Sequence, residues 1–574
     1  MTKHKTILAF YWLLGISIFL LPLVHAWLAY PLGIESFFTS YSALGGVIPY
    51  SDAGGYYGGA INLLENGFLN SWNMRRPLNA SLFSVRLWLT NNNFYLALIV
   101  QAIWCSISCL LVTASINKSF GKKPSILTLL ILFLFASIFI PTTMSETLGL
   151  TLGCLSFVIL LEAINSNRWW LFTTAGLMLT IGLNTRAGAF LILPFLTIWL
   201  HFAFKNNIKT INFILGIIGG FFCNIILIKL YGLNNSGAMH ANFADTVFGL
   251  VSGGKGWDYF YSLYPEKINN IQSEANYAKL VYSESFKVFK NNPFLLLKGL
   301  LRGYLGVIKG FTSFFQYWVI ISNNIILKII VRCFGFVVLF LGVYRLYYFN
   351  KFYNYNIHIK NKFNLIQISL ISMFLSAGII WTDGGIRVFA VTVPFFAAIF
   401  GILAEKPPKA NYIQNNNIIS WETKFAIVFS YILLILGLIG PILIKFFTNK
   451  SKLKIQFHCP LNTTKLIVKN IYGSPRVELP LYAKRLENNL IKNSLIENKY
   501  MLKLLKSSIV TRPMFLALVY DSNNITSKHI LGSKEIFSYN NACVGLCAAP
   551  IPGIEDIMQI QSFKVLNNKA SDEQ

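Results

Sequence analysis

The chain has 574 residues, 55% of them apolar and only 12% charged, with a mean hydropathy of +0.55. Soluble domains carry about 25% charged residues, and a chain this apolar cannot hide its surface inside soluble domains of ordinary size. A soluble enzyme, a disordered chain, a coiled coil and a disulfide-rich secreted scaffold are excluded, which leaves a multi-pass membrane protein. The 49 Lys and Arg against 22 Asp and Glu give a net charge of +27, which in a soluble protein would suggest nucleic acid. Here the basic residues flank apolar runs, so orientation and anionic lipid headgroups explain the excess and no nucleic-acid partner is expected.

The N-terminus, Met1-Thr-Lys-His-Lys, has the flank of a signal peptide. Its apolar run is too long, however, and no small-x-small site follows, so 7–30 reads as an uncleaved first span. Further runs lie at 94–116, 125–141, 145–164, 169–184, 186–204, 211–231, 325–348, 364–381, 386–404 and 424–446. With a lower limit of ~17 residues per span, this predicts about eleven transmembrane helices. The stretch Phe294 to Ser322 is a candidate twelfth, but Lys298, Arg302 and Lys309 recur through it at near-helical spacing. That pattern suits an interfacial helix whose basic residues snorkel.

The positive-inside rule places the N-terminus in the cytoplasm, together with the basic loops around Lys118, Lys205, Lys351 and Lys406. Loops 31–93 and 232–324, the junctions 141–146, 184–186 and 382–387, and the tail from 447 then share the outer face. The expected architecture is an all-α polytopic membrane domain, 1–446, followed by a small soluble α/β domain, 447–574, in which short mixed runs alternate with Pro and Asn. The surplus of Asn, Ile, Lys, Phe and Tyr points to an AT-rich, bacterial genome. The expected location is thus a bacterial plasma membrane with the C-terminal domain periplasmic or extracellular.

The outer face carries the chemistry. Its first loop reads Tyr50-Ser-Asp-Ala-Gly-Gly-Tyr-Tyr-Gly-Gly-Ala60 and continues to Trp72-Asn-Met-Arg-Arg-Pro. Asp52 stands among small residues that admit close approach, with Tyr56 behind it and Arg75 and Arg76 beyond. Glu146 opens the span after Pro141, where a carboxylate is also favoured simply by the helix dipole. Arg186 lies between two apolar runs, where its alternative is snorkelling to headgroups. Asp383 and Arg387, in Trp381-Thr-Asp-Gly-Gly-Ile-Arg, read either as a local i,i+4 ion pair or as a phosphate clamp. The stretch Gly249-Leu-Val-Ser-Gly-Gly-Lys-Gly resembles a P-loop in spacing, but Gly256 stands where Ser or Thr must hold magnesium. An ATPase is rejected; Lys255 with backbone amides against a lipid-linked phosphate remains.

An Asp soon after the first span, then a Tyr on a helical stretch, then an Arg-Pro element, resembles the GT-C membrane glycosyltransferases. These include the protein O-mannosyltransferases and the lipid A aminoarabinose transferases. Ala53 follows Asp52 where some members have an Asp-Glu pair, and Ala187 follows Arg186 where Pro is common. The resemblance implies a many-span fold with interfacial helices and an outer C-terminal domain. It implies a polyprenyl-phosphate-linked sugar as donor and a glycan, lipid or protein hydroxyl as acceptor. Asp52 becomes the general base, with Glu146 as a second acidic site residue. Arg186, Arg387, Lys255, Arg75 and Arg76 then serve the donor phosphate, supported by Asp383 and Tyr56. No cofactor is required, although Asp52 with Glu146 could hold one divalent cation. A transporter or flippase of lipid-linked sugars, or a surface polysaccharide polymerase, is the alternative.

Of the eight cysteines, Cys105, Cys109, Cys154, Cys223 and Cys333 lie in or beside apolar spans, where Cys acts as a small hydrophobe. In the tail, Cys543 and Cys547 are four apart around Gly545. They are either a local disulfide clip in an oxidising compartment or two small buried residues.

Overall fold

The computed structural model describes residues 2–29, 43–314, 357–403, 419–447, 458–478 and 514–566, apart from short gaps of which 233–240 is the longest, and scattered positions between 326 and 346. The first half consists of α1 (Thr2–Ala29), a small hairpin β1 (Ala43–Leu44) and β2 (Ile48–Pro49), α2 (Asp52–Asn66), α3 (Ser71–Met74) and α4 (Pro77–Leu89). It continues with α5 (Phe94–Phe120), α6 (Lys122–Phe139), α7 (Ser145–Asn165), α8 (Trp170–Thr185), α9 (Ile192–Phe204) and α10 (Asn207–Tyr231). A smaller group follows: α11 (Ala241–Val251), α12 (Tyr259–Leu263), α13 (Pro265–Asn269), α14 (Glu274–Asn291) and α15 (Phe294–Phe314). Three more helices, Ile357–Gly384, Val393–Leu403 and Trp421–Phe447, lead into the tail.

Among the described residues, seven helices are long and apolar enough to cross a membrane: α1, α5, α6, α7, α10 and the helices at 357–384 and 421–447. This corrects the expectation of about eleven. Three of the remaining apolar runs form helices of only 16, 13 and 11 residues. At 1.5 Å per residue these reach about 24, 20 and 17 Å, short of a ~30 Å hydrocarbon core. The runs at 186–204 and 386–404 each begin with residues that are not α-helical. Arg186 follows the last residue of α8, and Gly385–Phe389 is a 3-10 turn. Such irregular backbone is tolerated at depth where protein buries it. The run at 325–348 lies mostly outside the described residues. α15 bears Lys298, Arg302 and Lys309 and is not among the seven. Phe294, Leu297, Leu301 and Leu305 are exposed along it, while Tyr304 stacks on Phe374 of the 357–384 helix.

The tail is a six-stranded mixed sheet of order β3-β7-β8-β6-β5-β4. Its strands are β3 (Thr464–Lys469), β4 (Arg476–Glu478), β5 (Met514–Asp521), β6 (Thr526–Ser533), β7 (Cys543–Ile551) and β8 (Ile554–Leu566). Among the described residues the expected α/β mixture is instead strands with two 3-10 turns; 479–513 lies outside them. Side chains alternate across a strand, and β5 uses both faces. Leu516 and Leu518 join the core of the membrane helices, while Ala517 and Val519 join Leu466, Val544 and Leu546 in the tail's own core.

The cysteine pairing also differs from the expected clip. Cys547 bridges Cys459 across 88 residues, and Cys543 is buried outside that bridge. Both Cys543 and Cys547 lie on β7, where four residues span about 13 Å, too far for a disulfide.

Candidate active site

Asp52 is the first residue of α2, and the turn before it is held in an unusual conformation. Ser51 has φ 51° and ψ −127°, a region that costs a residue with a side chain about 1–3 kcal/mol and persists only where its surroundings enforce it. The enforcement is visible. The Ala53 amide donates to the Tyr50 carbonyl at 3.1 Å, and Thr143 Oγ1 donates to the Ala53 carbonyl at 2.6 Å. The loop before α7 is thereby tied to the start of α2.

From there the charged side chains converge. Arg387 Nη2 lies 3.5 Å from Asp52 Oδ2, and its Nε lies 3.9 Å from Glu146 Oε1. Arg186 Nε lies 3.2 Å from the same Glu146 oxygen. Arg76 Nη1 donates to the Tyr56 hydroxyl at 2.6 Å and to Ser145 Oγ at 3.5 Å. Burial works against the Arg76 charge, but Tyr56, Glu146 and Asp52 together hold its pKa above the ordinary arginine value. Gly384 leaves space for the clamp, since a Cβ there would sit 3.1 Å from Arg186 Nη2 and 3.2 Å from Arg387 Nε.

The structure therefore brings together Asp52, Tyr56, Arg76, Glu146, Arg186 and Arg387. The two carboxylates are not equivalent. The Asp52 side chain is 33% exposed, whereas that of Glu146 is 0% exposed. A substrate can reach the first; the second meets only protein. The other residues singled out in the sequence point elsewhere. Arg75 turns away to Glu274 at 3.1 Å. Lys255 is exposed, its ammonium over the Tyr259 ring at 5.3 Å. The glycines before it follow α11 rather than a strand, with Gly253 and Gly254 at φ +87° and +76°, so the P-loop geometry is absent. The Asp383 side chain lies outside the described residues.

A second layer escaped sequence reasoning. Gln101 Nε2, inside α5, donates to the Thr142 carbonyl at 2.8 Å, and Arg86 Nη1 donates to Gln101 Oε1. Arg86 is 2% exposed and lies over the Phe83 ring at 4.7 Å. Arg86 and Gln101 thus fix the backbone from which Thr143, Ser145 and Glu146 project. The available signal was the cost of a lone Arg and Gln within apolar helices.

Among the described residues no group of three or more His, Cys, Asp or Glu side chains gathers as a metal site. A divalent ion held by Asp52 and Glu146 would have to displace Arg387, which engages both.

No family model matches the chain, and no curated protein matches it. Among solved structures, it is similar to the archaeal oligosaccharyltransferase AglB from Archaeoglobus fulgidus, in complex with an inhibitory peptide and a dolichol-phosphate. Identity is 14% and TM-score 0.38, covering 86% of this chain and 59% of that one. A structure of the Archaeoglobus fulgidus oligosaccharyltransferase with Zn and sulfate gives 14% identity, TM-score 0.36, and coverage of 86% and 57%. The chain spans less than two thirds of the length of either.

Proposed function

We propose that the protein is a membrane glycosyltransferase that moves a sugar from a polyprenyl phosphate to an acceptor hydroxyl, with inversion at the anomeric carbon. The observation that carries this reading is the accessible Asp52 carboxylate beside a cluster of three guanidiniums. Arg76, Arg186 and Arg387 against Asp52 and Glu146 leave one positive charge. That charge suits the single negative charge of a glycosyl phosphodiester.

Asp52 takes the proton from the acceptor hydroxyl as its oxygen forms the new bond to the anomeric carbon. The bond from that carbon to the phosphate oxygen breaks, and the electron pair leaves with the polyprenyl phosphate. Negative charge grows on the phosphate during this step, where the partly exposed Arg387 stabilises it most, with the buried Arg186 behind it. Glu146, being buried, acts by holding these two guanidiniums in place. Tyr56 and Ser145 do the same for Arg76.

The Cys459–Cys547 bridge supports an oxidising compartment for the tail, in line with a bacterial plasma membrane protein whose C-terminal domain faces outward. The test uses purified protein in vesicles with radiolabelled polyprenyl-phosphate sugars and hydroxyl acceptors. Label arriving on the acceptor supports a transferase. Label that crosses the bilayer still attached to polyprenyl phosphate, with none transferred, would establish the flippase alternative. Transfer is expected to persist in EDTA, because guanidiniums rather than an ion neutralise the phosphate.

A further inference from the structure

The tail sheet meets the helix that begins with Asp52 along one stripe. Gly54, Gly58 and Asn62 recur at i, i+4 and i+8, so they share a face of α2. A Cβ on Gly54 would lie 3.8 Å from Leu518 of β5, and one on Gly58 would press on the Ser527 hydroxyl of β6. Tyr520 donates to Asn62 Oδ1 at 2.8 Å and accepts from Asn66 Nδ2 at 3.3 Å. Before α2, His529 Nε2 lies 3.4 Å from the Pro49 carbonyl, at the entry to the strained Ser51 turn. Gly55 and Gly59 lie on another face, against Trp72 and Asn73 of α3. The paired glycines around Tyr56 and Tyr57 thus let α2 sit between two close neighbours, with Asp52 at its tip.

We propose that the C-terminal sheet is a fixed positioning element of the active site. Ser527, Tyr520 and His529 clamp α2 and its entry turn, so that Asp52 stays against Arg387 through the catalytic cycle. The sheet does not swing away as a lid to admit substrate. This rests on the glycosyltransferase reading for its consequence in catalysis, but the clamp itself can be measured without any substrate.

The Ser527 Cβ lies 3.4 Å from where a Gly58 Cβ would stand, close to the ~3.8 Å separation of bridged cysteines. In the full-length protein, Gly58→Cys with Ser527→Cys, oxidised by copper–phenanthroline and dioxygen, should form the bridge. Two thiols then lose two hydrogens to the oxidant. Transfer should remain within about twofold of the reduced form, since no separation is needed. Failure to bridge, or loss of transfer restored by a reductant, would overturn the proposal.

Ser527→Arg should force the surfaces apart. Hydrogen exchange at the amides of Gly54 to Gly58 is expected to quicken, and turnover to fall while the KM for donor stays near its original value. If that variant does not fold, Tyr520→Phe removes only the hydroxyl. Loss of its two hydrogen bonds, to Asn62 and from Asn66, should slow turnover at least about fivefold, with His529 and Ser527 still in place. Unchanged exchange in both variants would overturn the clamp. If the wild type transfers no polyprenyl-linked sugar, the functional reading falls, while the exchange and bridging results still decide whether the sheet holds α2.

Discussion

The starts of α2 and α7 look alike in sequence and differ in the folded chain. Each helix opens with a carboxylate in its first turn, Asp52 in one and Glu146 in the other, and each carboxylate faces a guanidinium. Yet a third of the Asp52 side chain is exposed and none of Glu146. The difference comes from the helices behind them. α2 lies on the membrane body beneath the tail sheet, whereas α7 is almost wholly buried inside the protein. The same helix-start signal thus supplies a group that can touch a substrate and a group that can only organise its neighbours.

The largest effect should come from the accessible carboxylate. Asp52→Asn keeps shape and removes basicity, which typically costs ~10²–10⁴ in rate. Measured by label transfer and by thermal unfolding in detergent, this variant should lose transfer and keep its melting temperature. Glu146→Gln should instead lose stability, with transfer falling only because the guanidiniums it holds are released. Removing one partner of a buried ion pair costs ~3–5 kcal/mol, and here Arg186 loses its Glu146 partner while Arg387 keeps Asp52. A clear fall in melting temperature is expected. A stable, well-folded Glu146→Gln that fails only in transfer would erase the distinction between the two carboxylates.

Arg387 connects the two regions, so Arg387→Lys sharpens the comparison. The ammonium keeps the charge but not the planar fork. Losing one charge-assisted hydrogen bond, ~1.5–3 kcal/mol, should slow transfer by about 10- to 100-fold, as read in the same assay. The smallest effect should be that of Arg75→Ala. Arg75 pairs with Glu274 near the surface, with both side chains partly exposed, and such pairs contribute ~0–1 kcal/mol. Transfer should change less than about fivefold. A loss as large as that of Arg76→Ala would return Arg75 to the donor site.

The site was legible where physical chemistry makes a residue conspicuous. Asp52, Glu146, Arg186 and Arg387 stand out because charge in a chain with so few charged residues must be paired or useful. Arg86, Gln101 and Thr143 were missed because their role is to hold backbone, which no spacing rule reveals. Lys255 and Arg75 carry the right charge in the right loops but point elsewhere, and direction is not written in local sequence. The span count failed for a related reason. Hydropathy follows composition through Arg186 and through Gly385–Phe389, where the chain leaves the α-helix to build the site. In the tail, short mixed runs punctuated by Pro and Asn read as an α/β domain, whereas β6 pairing in parallel with β8 and Cys459 reaching Cys547 are long-range choices.

The claim that Asp52 is the base is tested most directly by chemical rescue. Asp52→Ala removes the carboxylate and leaves a gap that is open to solvent, so a small carboxylate can enter. With labelled donor bound and acceptor in excess, single-turnover transfer by Asp52→Ala should fall by at least ~10²-fold, then rise with added sodium formate, while formate leaves the wild type unaffected. Transfer by Asp52→Ala within tenfold of the wild type in the absence of formate would contradict the account.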